Sequence, residues 1–117
     1  MTKLYEQLRG SITVLPEKET EPEARLIRVW VGVVTEDNVE LVTRRSVILV
    51  IGQKTNIKLM WSYKDVRPGS PVYVGLYPNR DDLTPKHRAA VTKQCTISNC
   101  DDVTLIWWVQ LNSASDL

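Results

Sequence analysis

Near the C-terminus runs Val103-Thr104-Leu105-Ile106-Trp107-Trp108-Val109-Gln110-Leu111. Successive side chains of a strand point to opposite faces. Val103, Leu105, Trp107, Val109 and Leu111 therefore share one side and read as core, while Thr104, Ile106, Trp108 and Gln110 share the other. Two adjacent tryptophans cannot enter one core, so the stretch raises the question of what covers Trp108.

The same alternation recurs upstream. In Arg25–Val34, Ile27, Val29, Val31 and Val33 line one face, and Arg28, Trp30 and Gly32 the other. Val39–Thr43 predicts a shorter strand after the polar turn Thr35–Asn38. Ser46–Ile51 is apolar on both sides and β-branched, as in a strand covered on both faces. Gln53-Lys54-Thr55-Asn56 after Gly52 reads as a hairpin loop into Ile57–Lys64, which sets Ile57, Leu59, Trp61 and Tyr63 against Lys58, Met60, Ser62 and Lys64. Arg67–Pro71 carries proline and glycine where a type II turn wants them. Val72–Tyr77, Thr92–Ser98 and Ser11–Leu15 complete the expected strands, with a turn at Asn99–Asp102.

Helix is expected in two short places. Leu4 and Leu8 stand four apart with Gly10 just beyond, which predicts one or two turns over Thr2–Arg9 closed by a glycine. Thr84-Pro85 offers an N-cap and first position for a second helix reaching Val91. The whole predicts an all-β fold: an antiparallel β-sandwich or barrel of seven to eight strands with one or two short helices. Residues 1–117 are expected to form a single domain, a length that can bury a real core, with a flexible acidic loop at 16–24.

Composition narrows the function classes. The longest apolar runs, about five residues as in Val47–Ile51, are far short of the ~20 residues of a membrane-spanning helix, so no transmembrane segment is expected. MTKLYEQLRG lacks the apolar stretch of a secretory signal. A cytoplasmic, reducing setting is expected, with Cys95 and Cys100 as free thiols. His87, the only histidine, sits between Lys86 and Arg88 and reads as a surface residue. Asp81-Asp82 and Asp101-Asp102 adjoin turns, where aspartate bonds the local backbone. No phosphate loop, nucleophile elbow or zinc-binding pair is present. No catalytic residue, metal or cofactor is expected; an enzyme built on His87 and Cys95 is the weakest of the readings.

Two readings outrank it. In the first, the chain makes more apolar sheet than it can hide: Trp30, Ile106 and Trp108 lie opposite the core rows, and a second copy covers them. This predicts a non-enzymatic, self-associating structural or assembly protein, of the kind that serves a virus as coat, matrix or accessory protein. In the second, a basic sheet face binds RNA. Net charge is only +1, yet residues 24–100 hold twelve Lys and Arg against six Asp and Glu, while residues 17–23 and 101–117 carry −3 each. Arg28, Arg44, Arg45, Lys58 and Lys64 are the candidate contacts, to a nucleic acid or another anionic surface.

Overall fold

The structure, a computed structural model, describes residues 5–16, 25–62, 71–91 and 104–117. Among them, seven strands form two sheets: β1 (Tyr5–Val14), β2 (Leu26–Thr35), β3 (Glu40–Val50), β4 (Lys54–Ser62), β5 (Val72–Tyr77), β6 (His87–Ala90) and β7 (Thr104–Leu111). The three-stranded sheet has the order β4-β1-β7 and the four-stranded sheet β3-β2-β5-β6. The fold is all-β and not a closed barrel; the two sheets enclose one core. No helix among the described residues is long and apolar enough to cross a membrane.

Both sheets contribute to the core, β2, β4 and β7 in the alternation the sequence predicts. Leu8, Ile12 and Val14 of β1, Ile57 and Leu59 of β4, and Trp107 and Leu111 of β7 face Val29, Val31 and Val33 of β2, Leu49 of β3, and Val74 and Leu76 of β5. Trp107 is 1% exposed, and the central strand makes room for it. A Cβ on Gly10 would run into the Trp107 ring. At one end of the core, the Gly52 N–H donates to the Val14 carbonyl at 2.7 Å and the Ile51 N–H to the Arg25 carbonyl at 2.9 Å, tying the turn after β3 to both sheets.

Several expectations need correction. Residues 5–9 are strand, not helix; β1 pairs antiparallel with β4 and parallel with β7. Residues four apart share a face in a strand as well as in a helix, so the Leu4–Leu8 spacing was ambiguous, and hydrogen bonding on both flanks favoured the strand. The parallel β1–β7 pair also departs from an all-antiparallel arrangement. The second expected helix is β6, which pairs with the β5 edge. Four residues are too few to repay helix nucleation, and Pro85 packs over Gly75 instead of starting a turn. Among the described residues the helical element is a short 3-10 turn, Ala114–Asp116.

Val39–Thr43 and Ser46–Ile51 merge into the single strand β3. Its register against β2 passes from Val31↔Arg45 to Val33↔Val42 to Val34↔Glu40, so β3 contributes one extra residue at each of two bulges. β3 is also an edge strand, which leaves Ile48 47% exposed instead of covered on both sides. The Gly52–Asn56 segment is no hairpin, because β3 and β4 belong to different sheets. The acidic loop at 17–24, the turn at 67–70, Lys64, the strand expected at 92–98 with Cys95 and Cys100, and Asp101-Asp102 lie outside the described residues.

Candidate functional site

The two outer faces of the sandwich differ in kind. On the four-stranded sheet the chain covers itself. Trp30 is half-buried, with the Arg80 guanidinium 5.9 Å from its ring centroid. Gly32 and Gly75 stand opposite each other across β2 and β5, and the Tyr77 ring lies over this glycine floor, 0% exposed. Arg44 caps the ring at 3.6 Å from its centroid. The same guanidinium pairs with Glu40 and donates to the Arg80 carbonyl at 2.7 Å. Burial pushes the Tyr77 phenol above its usual value; the Glu40 carboxylate adds to the rise and Arg44 opposes it. Further along, Arg88 lies 4.6 Å from the Tyr73 ring centroid and donates to the Glu36 carbonyl at 2.8 Å. Arg44, Arg80 and Arg88 thus fasten this face to its own aromatic rings and backbone.

The outer face of β4-β1-β7 has no such cover among the described residues. Pairing across its three strands aligns side chains in rows. One row is Lys58–Arg9–Ile106, the next Asn56–Ser11–Trp108, and the third Lys54–Thr13–Gln110. Arg9, Lys54 and Lys58 are exposed, Trp108 is 70% exposed and Ile106 56%. These rows hold three cations and no carboxylate. Arg9 and Lys58 stand directly opposite each other, an arrangement that costs stability in a sheet. A shallow depression on this face is lined by Arg9, Ser11, Lys54, Asn56, Lys58 and Trp108 among others. Asn56, Ile57 and Lys58 also border a second cleft at the open side of the sandwich, against Arg45–Ile48 of β3. Arg45 reaches across it to the Lys58 carbonyl at 3.4 Å.

The residues singled out in the sequence are thus divided. Ile106 and Trp108 lie together, but Trp30 belongs to the other sheet and faces away from the shared core. Of the five basic residues, Lys58 and Arg45 meet at the cleft, while Arg28 is exposed on β2 and Arg44 is committed to Glu40 and Tyr77. Arg9 and Lys54 went unnoticed because one was assigned to a helix and the other to a loop. With β1 known as a strand, the alternation Arg9-Ser11-Thr13 would have exposed the first.

The described candidates for catalytic or metal chemistry are engaged in local contacts. His87 uses Nε2 as a donor to the Asp116 carbonyl, and Lys86 donates to the Leu117 carbonyl at 2.6 Å, together fastening the C-terminal turn to β6. Asp82 accepts from the Asn79 N–H at 2.9 Å, a local turn bond. No group of three His, Cys, Asp or Glu is placed to hold a metal among these residues. The chain matches no protein-family model, no curated protein and no solved structure.

Proposed function

We propose that this protein is a non-catalytic binding module that holds an anionic polymer on the outer face of β4-β1-β7. One observation carries the reading: Arg9 and Lys58 oppose each other across β1 and β4, with Lys54 further along the same face and no carboxylate in the rows they share. Like charges directly opposite in a sheet are destabilising. An anion laid between them removes that cost and gains the attraction.

Self-association is the other reading, and the exposed Ile106 and Trp108 favour it. A two-fold interface, however, sets a patch against itself. Over the full face it would bring Arg9, Lys54 and Lys58 either against the same three cations of a second copy or, with the axis along the strands, against its Ile106 and Trp108, and the rows supply no carboxylate in either case. The charge pattern therefore ranks polyanion binding first and assembly second.

The test pairs binding with stability, using polyphosphate as the probe. Wild type should bind at low salt and release steeply as salt rises, since three neutralised cations give a slope of about −2 in log K against log salt. Arg9→Gln with Lys58→Gln should abolish most of that binding and yet raise stability by about 0.2–1 kcal/mol, read from thermal or urea unfolding. Loss of stability in that variant, or no binding by wild type at low salt, overturns the proposal. Sedimentation velocity checks the second reading: a wild-type dimer that becomes monomeric in Trp108→Glu would restore assembly to first place.

A further inference from the structure

We infer that the anionic polymer is single-stranded nucleic acid, its phosphates over β4 and β1 and its bases over β7, with one base stacked on Trp108. The inference rests on the polyanion reading and names its ligand.

The face is divided along its length. The cations stand on β4 and β1, in the rows on either side of Asn56–Ser11–Trp108, and the exposed apolar surface, Ile106 and Trp108, occupies β7. Neighbouring strands lie ~4.8 Å apart, so a row crosses the sheet in about 10 Å. A nucleotide lying across the Trp108 row sets its base beside the indole and its phosphate between the Lys58–Arg9 pair on one side and Lys54 on the other. Asn56 and Ser11 share the row of Trp108 and place an amide and a hydroxyl beside that base. Lys54 and Lys58 lie four residues apart on β4, about 13 Å at the ~3.3 Å rise of a strand. Adjacent phosphates of an extended single strand lie about half that distance apart, so Lys58 and Lys54 meet alternate phosphates along the strand direction. From Lys58 the depression continues over the β4 edge into the cleft where Arg45 waits.

A base-free polyanion would leave the indole unused. In a duplex the bases are already stacked on one another and present no free face to an indole on a flat sheet. A single strand does, and every base offers one, so such stacking tolerates any sequence. An anionic membrane would also meet the cations. Seating Trp108 and Ile106 in lipid would also desolvate Ser11, Thr13, Asn56 and Gln110 between and beside them, a cost that stacking a single base on the indole does not incur.

The experiment compares five probes by fluorescence anisotropy or vesicle sedimentation: a mixed-sequence single-stranded RNA, the DNA of the same sequence, its duplex, polyphosphate, and phosphatidylserine vesicles. Both single strands should bind more tightly than the duplex. Trp108→Ala should weaken single-strand binding about tenfold or more, leave polyphosphate binding unchanged, and keep the salt slope of wild type. Trp108→Tyr should retain most of the affinity, because stacking needs an aromatic face. Trp108 is largely exposed, so neither variant should lose the fold. Single-strand binding untouched by Trp108→Ala, or a duplex bound equally well, overturns the inference and leaves the polyanion reading standing. Failure of RNA and polyphosphate alike overturns both. Binding to vesicles with none to RNA overturns the inference in favour of a membrane.

Discussion

Gly10 and Trp107 show how closely single residues are fitted. The glycine leaves the space that the indole fills between the sheets, and a methyl group there meets the ring. Gly10→Ala should therefore cost about 1–3 kcal/mol of stability through overpacking, measured by urea unfolding. Pairing it with Trp107→Leu should recover part of the loss, since a smaller side chain yields space to the new methyl. At Tyr77 the consequence is pH dependence. Its phenol is raised above the ordinary value of 10.0, first by burial. The unfolded chain deprotonates at about 10 while the folded one holds its proton, so the unfolded state gains as pH climbs beyond that point. The stabilisation is present below pH 10 and lost as the pH rises through the folded value. Tyr77→Phe, which has no proton to lose, should flatten the alkaline limb of a stability–pH curve. The slope unchanged in Tyr77→Phe would assign that limb to another group.

Elements in this fold are chosen by their neighbours. β1 and β6 both occupy segments whose local signals read as helix; β1 is hydrogen-bonded on both flanks, between β4 and β7, and β6 pairs along the β5 edge. A short helix gains nothing comparable from water. The edge strand β3 makes the converse point. Its apolar run looks doubly buried, yet Ile48 faces outward because no strand or loop of the described chain lies over it. Such an edge invites pairing with other chains. Ile48→Lys should leave the unfolding midpoint nearly unchanged and raise the protein concentration at which light scattering first appears. A large drop in stability would mean that Ile48 is buried after all.

Across the whole molecule, charge and apolar surface are sorted by sheet. The four-stranded side closes over Trp30 and Tyr77 with arginines that stack and pair. The three-stranded side keeps its cations apart from any carboxylate in its rows and leaves an indole open beside them. The first arrangement stabilises; the second is tolerated at a cost, and Arg9→Gln with Lys58→Gln measures that cost directly. A gain in stability together with a loss of polyanion affinity is the signature of a surface kept for binding.

The sequence by itself determined the strands with strong alternation and the inward side of each. β2, β5 and β7 were legible nearly to their ends, and so was the division of Trp107 from Trp108 between core and surface. Alternation is a local property of the chain, carried by residues two apart, and needs no partner to be read. Which strands join which sheet depends on pairing between segments far apart in sequence. For that reason only the tertiary structure separated Trp30 from Trp108, committed Arg44 to Tyr77, turned the expected helices into β1 and β6, and brought Arg9 and Lys54 beside Lys58 on one face.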